Sequence, residues 1–280
     1  MADSLKSQFE VVVARSEDEL NLAEAALLIA VDEYPQLQVA PYLQQLDEIA
    51  AAVQNRLPKG ASHLQVIRLL NQYLFDEQGF AGNMENYSDP RNSYLNEVLD
   101  RKVGIPITLS VVYMEVGWRL GIPLEGVSFP GHFLVKFSHK DGDVVLDPFF
   151  KGISLSEKAL EGRIRHLLGG DVPARNFLPH LLMGATKKET LVRMLRNLKA
   201  IYLKHDDWLK ALSCTDRILA VVPNNAQELR DRGELYERLE CPRAAVADFG
   251  RYLELTPEAE DAEDVRNRLV ELQVSALRLN

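Results

Sequence analysis

Cysteine is almost missing from this chain: 280 residues hold two, Cys214 and Cys241. A disulfide framework is therefore not expected, and a chain of this length buries enough apolar surface without one. Long apolar runs are missing too. The longest, such as Ala25–Val31, fall far short of the ~20 residues a membrane span needs. The start, Met1-Ala2-Asp3-Ser4-Leu5-Lys6, has no basic segment leading into an apolar one, so no secretory leader is expected. Positive charge is scarce, with 32 Lys+Arg against 41 Asp+Glu and a net of -9. Residues 1–180 hold 16 against 24, a net of -8, and residues 181–280 hold 16 against 17, a net of -1. Neither half offers the basic surface that meets phosphates, so nucleic acid is not an expected partner, and neither is a membrane. Gly79 and Gly82 lack the lysine and the strand-to-helix setting of a phosphate loop. His132, His139, Asp141 and Asp143 match no dedicated metal spacing. No metal and no cofactor are expected, and the chain reads as a soluble cytoplasmic protein.

With 46% hydrophobic and 26% charged residues, the sequence reads as one large domain or two modest ones. Val11–Val13 reads as a short strand or as the lead-in to a first helix. Ser16-Glu17-Asp18-Glu19 is a capping-box pattern, followed by Leu20, Ala23, Leu27 and Val31 at helical spacing. A second helix is expected over Pro41–Leu57, with Leu43, Leu46, Ile49, Ala50 and Val53 inward. Ser62-His63-Leu64-Gln65 is another capping box, opening a helix through Leu74 with His63 facing solvent in its first turn. Periodicity then fails. Gly79 to Ser93 fills with Gly, Asn, Asp and Pro, the residues of ordered turns, and is long for a connection inside a compact domain. Phe80 and Tyr87 read as its anchors. Asn83, Asp89 and Asn92 read either as turn caps or, with Tyr87, as ligand contacts.

A short helix is expected over Tyr94–Leu99. Gly104-Ile105-Pro106 places proline at a first helical position, and the helix Ile107–Leu120 is apolar on nearly every side, hence central and buried. Leu124–Ser128, His132–Phe137 and Val144–Leu146 read as short strands, with Asp141-Gly142 as a hairpin turn and Asp147-Pro148 closing the sheet. Residues 150–180 read as loops and short helices, and the domain boundary falls there: residues 1–180, then 181–280. His166, His180 and His205 read as surface or interdomain residues.

From Lys187 onward the pattern repeats. Tyr202 and Tyr236, Ala211 and Ala245, Leu219 and Leu253, and Pro223 and Pro257 are each 34 apart, the period of tetratricopeptide hairpins. Two hairpins and a closing helix, about Glu260 to Leu277, are expected. Cys214 and Cys241 fall in these repeats at positions that read as helix packing.

Taken together, Gly82-Asn83, Tyr87, Asp89-Pro90-Arg91-Asn92-Ser93, Gly104-Ile105-Pro106-Ile107-Thr108-Leu109-Ser110, Pro130-Gly131-His132-Phe133-Leu134-Val135 and Asp147-Pro148 resemble bacterial SirB-type proteins, which join a transglutaminase-like domain to tetratricopeptide repeats. The resemblance covers residues 5–275. It implies an α+β fold: a transglutaminase-like, papain-like helical domain around a small antiparallel sheet, followed by an all-α repeat region. In that superfamily a Cys at the start of a buried helix attacks an amide or ester, a strand His takes its proton, and an Asp on the next strand orients the His. The helix N-terminus favours the thiolate and the carboxylate fixes the imidazole tautomer. His132 and Asp147 match the second and third roles. The first falls near Pro106, which is no nucleophile.

Three functions follow as expectations. The domain is a pseudoenzyme whose remnant His132–Asp147 dyad and cleft, with Asn83, Tyr87, Asp89 and Asn92, bind or scaffold. Alternatively it is a hydrolase or acyltransferase using Thr108 or Ser110 with His132 and Asp147. Or the repeats do the work, taking a protein or peptide partner through residues 187–280. A non-catalytic binding or regulatory role is the reading adopted. His132 beside Asp147 is equally open to a plain structural reading, a buried pair holding two strands together.

Overall fold

The computed structural model describes residues 2–139, 142–168 and 174–278. Asp141, expected in the hairpin turn and weighed for a metal set, lies outside the described residues, as do Gly169, Gly170 and Pro173 of the expected boundary region. The chain divides into two compact units, Met1–Met194 and Leu195–Asn280.

The first unit begins with α1 (Ala2–Val13) and α2 (Leu22–Leu28). Val11–Val13 belongs to a helix, not a strand. The second helix starts later than the Ser16 pattern predicts: Ser16 Oγ does donate to Glu19 at 3.0 Å, but the cap is Asn21, whose side chain accepts from Glu24 N–H. Asn21 stands directly before the buried run Leu22–Leu28 and so wins the cap. α3 (Val39–Gln54) buries Leu46, Ile49, Ala50 and Val53, while Leu43 is only half-buried. α4 (His63–Asn71) carries both halves of the expected capping box and passes into a π-helical turn, Gln72–Glu77. His63 is exposed, with its ring edge on Phe137.

β1 (Ala81–Gly82) follows, then α5 (Leu95–Arg101), β2 (Val103–Gly104) and α6 (Pro106–Arg119). Pro106 is the first residue of α6, and the helix is buried from Pro106 to Gly117, as expected of an apolar helix with no polar face. Such a helix is central by necessity. β1 pairs parallel with β2, which pins the Gly79–Ser93 segment to the start of α6. β3 (Leu124–Val127), β4 (Leu134–His139), β5 (Gly142–Asp147) and β6 (Ile153–Leu155) come next, followed by α7 (Glu157–Leu168), α8 (Ala174–Leu181) and β7 (Gly184–Ala185). The sheet is antiparallel, in the order β6-β5-β4-β3-β7. One face meets α6: a Cβ on Gly126 would lie within 3.4 Å of Met114, and a Cβ on Gly117 would run into Leu124. The other face, Val127, Leu134 and Val145, packs with Leu160 and Ile164 of α7 and Leu178 of α8.

The division between units falls within α9 (Lys187–Lys204), and α10 (Trp208–Val221), α11 (Ala226–Arg238), α12 (Pro242–Leu255) and α13 (Ala262–Arg278) complete the second unit. Ala211 and Ala245 are fully buried, and at Gly233 a Cβ would lie 2.6 Å from the Phe249 ring. Small residues thus set the close approach of α11 and α12. Charge ties the repeat hairpins to one another. Glu228, almost fully buried, takes Arg196 Nε at 2.8 Å and Lys199 Nζ at 2.5 Å. Arg230 Nε reaches Asp261 at 2.5 Å, and Arg232 bridges Asp216 and Asp248. Cys214 is buried in α10, but Cys241 is exposed at the cap of α12 and does not pack inside.

Asp206 and Glu240, 34 residues apart, both adopt φ 57° just after the first helix of a hairpin. This left-handed position favours glycine. Glu240→Gly is therefore expected to stabilise the repeats by about 0.5–1 kcal/mol, read as a raised urea midpoint. A lowered midpoint would show that the Glu240 side chain contributes more than its backbone costs.

Candidate functional site

The expected dyad forms. In the β4–β5 ladder Val135 lies opposite Leu146, so one step further Asp147 stands beside Leu134, with His132 two residues earlier along the chain. His132 Nε2 meets Asp147 Oδ1 at 2.9 Å. The turn before it is tight: Gly131 takes φ 68°, and His132 N–H donates to Phe129 C=O at 3.1 Å. Arg193 holds this turn, donating to Ser128 Oγ at 2.8 Å and reaching the carbonyls of Phe129 and His132 at 3.4 Å each.

Asp147 is fully buried, on the sheet face that α7 covers. Its second oxygen accepts from Arg163 Nη2 of α7 at 2.8 Å. Burial pushes this carboxyl up, but the hydrogen bonds and charges of His132 and Arg163 outweigh burial and hold it below the usual carboxylate range. The carboxylate is thus shared between an imidazole and a guanidinium. With Nε2 given to Asp147, the neutral imidazole is the Nε2–H tautomer and Nδ1 becomes an acceptor. Nδ1 has no protein partner among the described residues.

Aromatic rings flank the imidazole. Phe149 meets it edge-on at 5.9 Å and Phe150 stacks at 6.2 Å with 16° between planes. Arg163 also lies over the Phe150 ring, 6.0 Å from its centroid. Both phenylalanines belong to the 3₁₀ turn Pro148–Phe150. Behind them the chain turns through Lys151 and Gly152, both at positive φ. Asn71 locks that turn, donating to Gly152 C=O at 2.9 Å while accepting from the buried Tyr113 hydroxyl at 2.7 Å. Phe149 in turn rests on Gly82, where a Cβ would come within 2.5 Å of the ring. Gly82→Ala is expected to displace Phe149, cost about 1–3 kcal/mol and shift the His132 ring resonances in an NMR spectrum. An unmoved His132 spectrum would uncouple Gly82 from the site.

The structure brings the other sequence-selected residues together differently. Asn92 is fully buried. Its Oδ1 accepts from Asn83 Nδ2 at 3.2 Å and Arg101 Nη2 at 3.4 Å, and its Nδ2 donates to Asn86 C=O at 2.8 Å. Asp89 caps the turn Pro90–Asn92 by accepting from Arg91 N–H and grips the Arg91 side chain. The Arg91 hydrogen bonds, against the opposing effect of burial, hold Asp89 below the usual carboxylate range. Asn83, Asp89 and Asn92 therefore engage one another and their own loop. Tyr87 differs: it is 49% exposed and sits edge-on to Phe149 at 6.3 Å. Burial raises its phenol, with Arg193 opposing. Thr108 is fully buried, accepts from Ile105 N–H at 3.1 Å and donates to Asn92 C=O at 2.7 Å. Among the described residues, Ser110 Oγ is buried with no hydrogen-bond partner. Among the described residues no group of three His, Cys, Asp or Glu side chains is arranged to hold a metal ion.

Arg163, Phe149, Phe150, Asn71 and Arg193 were not legible as site residues. Phe149 and Phe150 follow Asp147 directly, and that adjacency is the one signal the sequence held.

Comparison with known proteins places the chain in a family. The transglutaminase-like superfamily matches residues 40–196 and a tetratricopeptide repeat family matches residues 198–270. A UPF0162 protein of Xylella fastidiosa is 43% identical over 261 residues, 93% of each chain. One from Vibrio cholerae is 32% identical over 265 residues, again 93% of each. Protein SirB1 of Salmonella typhimurium is 25% identical over 225 residues, 80% of this chain and 82% of its own. Sequence motifs, sheet register and overall match converge: the chain belongs to the transglutaminase-like superfamily, as a SirB-type member whose transglutaminase-like region is followed by tetratricopeptide repeats.

Proposed function

We propose that this protein is a non-catalytic transglutaminase-like pseudoenzyme of the bacterial cytoplasm that binds through its His132–Asp147 site and its repeats. One observation carries the reading: His132 offers a base, and no thiol or hydroxyl among the described residues is bonded to it. Pro106 stands at the start of α6, Thr108 gives its proton to a carbonyl, and Ser110 is buried with no partner among the described residues. General-base attack needs base and nucleophile within hydrogen-bond reach, or joined through one water. Tetratricopeptide repeats generally mediate protein–protein interaction, and residues 187–280 are the part proposed to take a protein or peptide partner.

The test is turnover. The full chain and His132→Ala are incubated with p-nitrophenyl acetate and with a glutamine-containing peptide plus an amine acceptor. Equal, background-level rates are expected. A rate that His132→Ala abolishes, together with fluorophosphonate labelling of Thr108 or Ser110, would replace this reading with that of a hydroxyl-dependent acyl transferase.

A further inference from the structure

We propose that the open cavity between the start of α3 and the end of α5 binds a guanidinium group carried on a short aliphatic stem. None of its lining residues lies on β4, β5 or α7, which build the His132 site, so this site stands or falls independently of the function proposed above.

The cavity holds about 420 Å³, and its walls include Leu37, Gln38, Pro41, Tyr42, Gln45 and Asp100. That volume falls in the range of small-ligand sites, about 300–1,000 Å³. Asp100, in the last turn of α5, is the one carboxylate in the wall. Its Oδ2 accepts from the Tyr42 hydroxyl at 2.8 Å, and no lysine or arginine among the described residues pairs with it. Burial first, then the bond and the charge of Asp100, push the Tyr42 phenol up to about 12.

The neighbouring charges are engaged elsewhere. On α5, Arg101 reaches Glu97 at 3.9 Å and Asn92 at 3.4 Å. Lys102 Nζ attracts Asp100 across space but lies over the Phe80 ring, 4.6 Å from its centroid. On α3, Asp47 takes Arg119 and Glu48 accepts from Gln44. The start of α3 has no side-chain cap and is a positive feature too, although Pro41 removes one N–H donor from its first turn. Asp100 is thus an ionised wall residue whose bonded partner is neutral, and a cation is the partner it lacks.

Two features favour a guanidinium over an ammonium. Gln45 gives Nε2 to the Leu99 carbonyl at 3.3 Å, which leaves its own carbonyl oxygen for a donor. With the two oxygens of Asp100, it offers several acceptors to a group that carries five N–H donors in one plane. The site is also half-open, with Gln38, Pro41 and Asp100 exposed and Tyr42 half-buried. An ammonium would give up strong hydration to enter it, whereas a guanidinium is weakly hydrated and stacks on rings such as that of Tyr42. Leu37 and Pro41 supply an apolar wall for the stem.

The test titrates the full chain with the N-acetyl amides of arginine, lysine and citrulline, followed in ¹H–¹⁵N spectra. The Gln45 side-chain signal, assigned by its loss in Gln45→Met, is expected to shift and saturate with the arginine compound. Citrulline, its neutral isostere, is expected to bind at least about tenfold more weakly, and lysine about fivefold. Asp100→Asn should weaken the arginine compound at least about tenfold, whereas Tyr42→Phe, which keeps the ring, should stay within about twofold of wild type. Both variants are expected to keep the wild-type circular dichroism spectrum. Free L-arginine is then compared with the capped residue: tighter binding of the first supports the assignment as a site for a free amino acid, and of the second as one for a polypeptide side chain. Citrulline or lysine binding as tightly as arginine, or an Asp100→Asn variant with unchanged affinity, overturns it.

Discussion

Asp147→Ala is expected to lower the stability of the first unit by about 3 kcal/mol, at the low end for breaking a buried charge pair. Two groups lose their acceptor at once, Arg163 Nη2 and His132 Nε2. Arg163 is partly exposed and regains some water, which keeps the loss from being larger. Asp147→Asn keeps the volume and an acceptor oxygen, so a smaller loss is expected. The two variants also separate charge from packing by their pH dependence. Asp147 is held below the usual carboxylate range in the folded chain. A depressed carboxyl contributes stability that is fully present above its unfolded value, about 3.9, and is lost as pH falls through the folded value. The gap between wild type and Asp147→Asn should therefore be widest at neutral pH and shrink on the acid side of about pH 4. Urea unfolding followed by circular dichroism at pH 7 and pH 3 checks this. A gap that does not change with pH would mean that the carboxylate's charge contributes nothing to folding.

The second large effect belongs to the repeats. Glu228→Ala removes the shared acceptor of Arg196 and Lys199. Lys199 is almost fully buried and would keep only Asp231, at 2.7 Å. The expected cost is again about 3 kcal/mol, read as faster hydrogen exchange of α11 amides relative to the first unit. The double change Lys199→Met with Glu228→Leu should recover most of that loss, because apolar groups of similar volume leave no buried charge unpaired. If the double variant were no more stable than Glu228→Ala, packing at these positions, and not the orphaned ammonium, would be the cause.

These cases show which parts of the molecule could be read from its sequence. The dyad was legible because its determinants are local. Gly131 turns the chain just before His132, two residues ahead of β4, and Asp147 ends β5, the strand paired with β4. The repeats were legible because a period of 34 appears four times over. Arg163 was not. It sits on the amphipathic helix α7 beside Arg165 and His166, and only the packing of α7 on the sheet tells which cation meets Asp147. Asn71 was hidden for the same reason, since its partners Tyr113 and Gly152 lie 42 and 81 residues away. The loop residues were ambiguous for a different reason. Asn, Asp and Arg in a Gly-rich segment have the composition of a ligand contact and of a self-bonded turn alike. The full burial of Asn92 accounts for that residue as part of its own loop, and burial of a loop asparagine leaves no periodic trace.

The ion pairs that join the repeat hairpins to one another also limit how far such a stack can grow. Arg196 and Arg230, one period apart, each hold a carboxylate on the following stretch, Glu228 and Asp261. One period further, at 264, the chain carries aspartate. A third rung would place acid against acid. Lengthening this protein with a further repeat that kept the same ion-pair pattern would thus call for the charge at 264 to be reversed first.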